Sequence, residues 1–152
     1  CSCVSCITCN NELLEWVYVC SHIYNVTTTA PTYFAGGYNT YVCAKCGYSY
    51  KTKGKPKKIL KTPKIYSLKG GKKKITVSNS NNKSATGYQI KVSTSKKFTK
   101  KTTKTVKVTS SKTTVKKLKK SKKYYVKVRA YKTKNSKTVY SKWSKVKSIK
   151  TK

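Results

Sequence analysis

Tyr124-Tyr125-Val126-Lys127-Val128-Arg129-Ala130-Tyr131 alternates apolar and polar side chains with a period of two. That is the pattern of a strand with one buried face. Leu118 stands six residues before Tyr124. A Leu on the incoming turn and a Tyr opening the strand fit a corner in which the Tyr hydroxyl reaches back to the backbone just upstream. Working outward, Ile75-x-Val77 and Tyr88-x-Ile90-x-Val92 repeat the alternation. Strands are expected near 63–68, 73–79, 86–94, 103–108, 112–117, 123–131 and 138–150. In the last of these, Val146 and Ile149 break strict alternation, which predicts a bulge. Seven short strands separated by turns, with no helical period, predict an all-β sandwich over 61–152.

The charge is unevenly divided. Residues 1–50 hold Glu12, Glu15 and Lys45; every other basic residue, thirty-six of thirty-seven, lies in 51–152, where there is no acid. Arg129 is the sole arginine. A basic run of this size suggests a polyanionic partner. Val, Ile, Thr and Tyr interleaved in phase with the lysines describe strands rather than a disordered tail. Lysine in place of arginine argues against bidentate reading of bases. A sandwich of this length has a radius of gyration near 12 Å. Salt, or a bound polyanion, is therefore expected to stabilise it by screening self-repulsion. A melting temperature that falls between low and moderate salt would remove that expectation.

The stretches Gly87-Tyr88-Gln89-Ile90, Ser93-Thr94-Ser95-Lys96-Lys97-Phe98, Leu118 to Ala130, and Trp143-Ser144 resemble the lysine-rich fibronectin type III repeats of secreted, surface-anchored proteins of Gram-positive bacteria. The resemblance implies an immunoglobulin-like sandwich acting as a spacer or adhesive unit. It departs from the family at Asn79, where a Trp is usual. Trp143 can cover the core edge or stack against Lys127 or Arg129 as a cation–π ladder.

Seven cysteines occupy positions 1, 3, 6, 9, 20, 43 and 46. Cys20-x-His22 and Cys43-x-x-Cys46-Gly47 together give four donors of the kind that zinc takes tetrahedrally, and His22 is the only histidine. Disulfides and buried thiols are the alternatives. Thr27-Thr28-Thr29, Tyr33-Phe34 and Tyr38 to Val42 read as short strands around Gly36-Gly37, and Val17-Tyr18-Val19 as another. The segment resembles the small Cys-x-His…Cys-x-x-Cys-Gly modules that precede such repeats, which implies a zinc-ribbon-like hairpin with Cys20, His22, Cys43 and Cys46 as ligands of a structural zinc. With all four donors used, no open position is left for catalysis. The roles of Cys1, Cys3, Cys6 and Cys9 stay open. The expected organisation is a Cys-rich module at 1–50, a basic linker at 51–60 and the sandwich at 61–152.

No catalytic set emerges. Glu12 and Glu15 have no second acidic cluster to meet, Gly70-Gly71 lacks a phosphate-loop pattern, and carboxylates for calcium or magnesium are missing. The chain, which contains no Met, is expected to be the C-terminal fragment of a longer secreted or cell-surface protein. Its expected work is non-enzymatic, with lysine faces binding anionic cell-wall polymers or other polyanions and no small-molecule substrate. One alternative is nucleic-acid binding, with the ribbon as reader and lysines on phosphates. Another is a protein ligand held through Tyr131 and Tyr140.

Overall fold

The computed structural model describes residues 22–152. Beyond a 3-10 turn at Lys100–Thr102, the regular structure of these residues is all β. The chain divides into two units, 1–58 and 59–152.

In the first unit, β1 (Tyr24–Thr29), β2 (Tyr38–Cys43) and β3 (Ser49–Lys53) form an antiparallel sheet in chain order. Two expectations are corrected here. Tyr33-Phe34 is not a strand: the Thr32 hydroxyl accepts from the Phe34 and Ala35 N–H groups, and Thr32 N–H donates to the Ala35 carbonyl. A Thr that offers its side chain to the next turn of backbone competes with a sheet ladder. The linker does not begin at 51 either. Lys51, Thr52 and Lys53 pair with Thr40, Asn39 and Tyr38, and the Lys55 carbonyl accepts from Gly37 N–H. Val17-Tyr18-Val19, Cys20 and the first four cysteines lie outside the described residues.

The second unit is a sandwich of eight strands, β4 (Ile65–Gly71), β5 (Lys74–Asn79), β6 (Gly87–Ser93), β7 (Thr103–Val108), β8 (Lys112–Val115), β9 (Lys123–Lys134), β10 (Lys137–Tyr140) and β11 (Lys147–Lys150). One sheet runs β4-β5-β8; the other runs β10-β9-β6-β7, with β11 also on β9. The core follows the period of two. Ile75 and Val77 of β5 face Tyr88, Ile90 and Val92 of β6 and Tyr124, Val126, Val128 and Ala130 of β9 in one buried cluster. The polar partners of that alternation form the outer face of the larger sheet.

Leu118 is buried, and the Tyr124 hydroxyl accepts from the Lys119 N–H at 2.9 Å. This pins the turn before β9 to the strand itself. Asn79 ends β5 and is buried; its Nδ2 donates to the Ser80 carbonyl, while its Oδ1 has no partner.

The final strand expected at 138–150 is split. From Tyr140↔Tyr131 to Lys147↔Val126 it uses seven steps against five on β9, so two extra residues are absorbed. Ser141 and Ser144 carry the junction. Their N–H groups donate to the Ala130 and Val128 carbonyls, and their hydroxyls accept from the Ala130 and Val128 N–H groups. Two residues therefore oppose one on each side of Ser144, which is the logic of a bulge. Where β4 passes β11, a Cβ on Gly70 would run into the Lys150 carbonyl oxygen, so only glycine allows this approach.

Candidate metal centre and cationic face

β2 ends at Cys43, and the chain turns through Ala44-Lys45-Cys46-Gly47 into β3. The turn closes by Gly47 N–H to the Cys43 carbonyl at 3.0 Å, and Cys43 N–H donates to the Tyr48 carbonyl. Gly47 has φ +74° with open space at its Cβ position, so the left-handed backbone and not crowding calls for glycine. Ala44 N–H donates to the Ile23 carbonyl, which brings the residues before β1 against the knuckle. His22 thereby joins Cys43 and Cys46, and the three donor atoms lie within 4.8 Å of one another.

The separations suit a metal. Nδ1 of His22 is 3.4 Å from the Cys46 sulfur. Tetrahedral zinc with ordinary bond lengths separates nitrogen and sulfur ligands by about 3.6 Å. Cys43 is buried, whereas His22 and Cys46 are half-buried. The Cys46 backbone N–H, followed by the His22 ring, the Lys45 backbone N–H and the Cys46 side chain, pulls the Cys43 thiol down to about 6, against burial, which pushes it up. Thiolate is the form that binds metal. His22, Cys43 and Cys46 could therefore hold a metal ion, whose part would be to tie β1 to the β2–β3 knuckle. Cys20, the fourth expected ligand, lies outside the described residues.

Aromatic rings surround the donors. His22 stacks on Tyr24 at 5.4 Å and lies 5.5 Å from Tyr48; Tyr41 and Tyr50 stack at 4.8 Å. Desolvation raises the Tyr24 hydroxyl pKa, with smaller contributions from Tyr50 and Tyr48.

On the sandwich, the outward residues of β9 are Tyr125, Lys127, Arg129 and Tyr131. Alternating rings and cations run across them. The Arg129 guanidinium sits 3.7 Å from the Tyr140 ring and 4.5 Å from Trp143. The Lys127 ammonium sits 5.0 Å from Trp143 and 4.2 Å from Phe98. Arg129 Nε also donates to Gln89 Oε1 at 2.8 Å. With no carboxylate anywhere in 51–152, ring faces and carbonyls take the place that acids would fill. Trp143 reaches this face because the two-for-one spacing around Ser144 turns it outward. In the sequence, Gln89 and Phe98 figured only within the stretches that carry the resemblance and Tyr140 only as an exposed tyrosine for a protein ligand; none was expected on this stack. Tyr140 was legible as a neighbour of Trp143, but Phe98 depends on the folding back of the 94–102 loop, which no periodicity encodes.

Burial lowers the Lys127 pKa first, and the charges of Lys91 and Arg129 add to it. Burial lowers that of Arg129, with Tyr140 opposing. Beside Tyr66, a cleft of about 250 Å³ lined by residues such as Lys61, Pro63 and Asn82 carries no His, Cys or carboxylate.

A family model described as Rha78A-like, N-terminal immunoglobulin domain, matches residues 75–151. No curated protein matches the sequence. Among solved structures, the FN1–FN3 domains of chicken CNTN1 are 20% identical at TM-score 0.49, over 76% of this chain and 40% of that one. A β-1,2-glucanase from Parabacteroides distasonis is 17% identical at TM-score 0.48, over 76% and 17%. Domains d3–d4 of the rat CD45 extracellular region are 15% identical at TM-score 0.44, over 97% and 75%. The chain thus spans less than half the length of the first two.

Proposed function

The chain belongs to the Rha78A-like family of N-terminal immunoglobulin domains, and on that premise we propose that it is a non-enzymatic spacer and adhesive module of a secreted or cell-surface bacterial protein. Within the immunoglobulin-like architecture we assign the sandwich to the fibronectin type III kind, on the Leu118–Tyr124 corner and the Trp143 stack. Its lysine-rich surface retains the protein at the anionic wall, where phosphate-bearing polymers are the partner. The observation that carries this reading is a folded sandwich, 59–152, that holds thirty-one basic residues and no acidic one. Such a field attracts any dense polyanion and selects by charge density rather than by shape. Small-molecule chemistry has no part in the proposal.

For the first unit we propose a structural zinc on His22, Cys43 and Cys46, with Cys20 as the remaining ligand. The donor chemistry supports it: two thiols, one already biased towards thiolate, beside an imidazole at ligand spacing.

The test is a pulldown with purified Gram-positive cell walls, intact and stripped of phosphate polymers, with duplex DNA as competitor. Binding lost on stripping, with DNA competing weakly, is the expected result. Equal retention by both walls, or displacement by trace DNA, would overturn it in favour of generic or nucleic-acid binding.

A further inference from the structure

The lysines of the sandwich are not spread evenly between its two ends. Antiparallel pairing sends the β4–β5 turn (72–73), the β6–β7 loop (94–102), the β8–β9 loop (116–122) and the residues after β11 (151–152) to one pole. These connections contain twelve lysines in twenty residues. At the opposite pole lie the entry segment (59–64), the β5–β6 loop (80–86), the β7–β8 loop (109–111) and the β9–β10 turn (135–136). They contain three lysines in eighteen residues and are otherwise mostly Ser, Asn and Thr. Two sets of loops of nearly equal length thus differ about fourfold in lysine.

The rich pole is also held in place. Leu118 N–H donates to the Lys73 carbonyl, Lys73 N–H to the Lys152 carbonyl, and Thr151 N–H to the Lys122 carbonyl. The Thr151 hydroxyl donates to the Lys119 carbonyl at 2.7 Å. Three of the four connections are therefore stitched to one another through backbone groups, which leaves the ammonium groups to solvent. Lys73, Lys117 and Ser121 take left-handed φ values of 54°, 59° and 54°, at positions where glycine or asparagine is the relaxed choice. A lysine kept in such a turn is backbone strain retained alongside a charge.

We propose that polyanion binding is confined to this pole, which takes a flexible phosphodiester chain end-on and leaves the sheet faces as bystanders. The proposal deepens the wall-polymer reading and rests on it. A flexible polymer fits better than a duplex. The pole offers ammonium groups on short loops, with no α-helix or strand, only the single 3-10 turn at Lys100–Thr102, to enter a groove and no arginine among its residues for bidentate reading. The chain enters the sandwich at the sparse pole, so an occupant of the rich pole does not compete with the incoming backbone.

Two variants of the full chain, each losing five exposed lysines, test it. One carries Lys97→Gln, Lys100→Gln, Lys101→Gln, Lys119→Gln and Lys120→Gln; the other carries Lys61→Gln, Lys64→Gln, Lys83→Gln, Lys134→Gln and Lys137→Gln. The probes are a synthetic poly(glycerol phosphate) chain and a duplex DNA, titrated across salt, with melting curves to confirm folding. The pole variant should bind the polymer at least ~10-fold more weakly, with a salt slope shallower by up to about 3.5, as five lost phosphate contacts on a single chain imply. The control should weaken less than ~3-fold. Equal weakening would overturn the pole while leaving the wall reading intact. Tighter binding of the duplex than of the polymer, lost only in the pole variant, would overturn the choice of partner. Failure of the unmodified chain to bind the polymer at low salt would overturn the wall reading and the pole together.

Discussion

The two units hold their strands together by different means. In the sandwich, twelve apolar side chains from both sheets close into one buried cluster. Among described residues 22–58, Cys43 alone is buried, and Ile23, Val26 and Tyr48 are at least half exposed. Among the described residues, three short strands with so little covered surface make too small a core to supply stability by themselves. The same β grammar closes an apolar core in one unit, whereas the described strands of the other leave room for a chemical tie. The His22–Cys43–Cys46 cluster is where such a tie would sit.

The largest expected effect breaks this comparison at its weaker side. A strong chelator, or Cys46→Ser, should unfold the first unit while the sandwich melts as before. Structural zinc in small domains is worth about 10–16 kcal/mol of apparent binding energy, so removal of the proposed zinc should cost the sheet most of its stability. Two-dimensional NMR resolves the units separately. Loss of zinc with the 22–58 resonances unmoved would mean that aromatic stacking, or a disulfide, holds the strands instead. Because thiolate and neutral imidazole are the ligating forms, metal release should also follow acidification.

The converse experiment strikes the sandwich. Ile90 is fully buried at the centre of β6, between β7 and β9. Ile90→Ala should cost about 2–5 kcal/mol, the lost transfer energy plus a cavity. Denaturant melts should show it in the sandwich transition alone. A change below about 1 kcal/mol would mean that the core is looser than its burial implies.

Next in size is the corner. Tyr124→Phe keeps the buried ring and removes the acceptor of the Lys119 N–H. The cost should be about 1 kcal/mol, rising if that N–H stays dry. Equilibrium melts of wild type and variant decide it, and a neutral result would mean that water replaces the hydroxyl.

How far the fold was legible follows the same division. Period-two alternation is a property of strands that bury one face, so β5, β6 and β9 could be placed from Ile75, Ile90 and Val126 and their neighbours. It weakens where side chains bond to backbone. Thr32 turned an apparent Tyr33-Phe34 strand into a bend, and Ser141 and Ser144 cut the last strand by taking over ladder bonds from main-chain groups. A hydroxyl's choice between solvent and backbone leaves no periodic trace. The Cys-x-x-Cys-Gly knuckle was legible because left-handed backbone and two thiols at fixed spacing are local demands. That His22 reaches it depends on pairing of β1 with β2, a longer-range fact.

The smallest effect sharpens the comparison on the sandwich's own charged face. Lys127 is held by two opposed terms, attraction to the rings of Trp143 and Phe98 and repulsion from Lys91 and Arg129. Lys127→Gln removes both, so its net cost should be near zero and uninformative alone. A double-mutant cycle with Trp143→Leu isolates the ring term, expected at about 0.5–1 kcal/mol. The pH dependence isolates the other. Burial, then the neighbouring charges, lowers the folded-state pKa of Lys127 below its ordinary 10.5. In the window between those values the unfolded chain binds more protons, so stability rises with pH there; below the folded pKa the penalty for charging is fully present. The alkaline gain should shrink in Lys127→Gln and persist in Trp143→Leu. If the gain is the same in both, Lys127 is not the group that feels the crowding, and the lysines of this face act as a diffuse field rather than as neighbours.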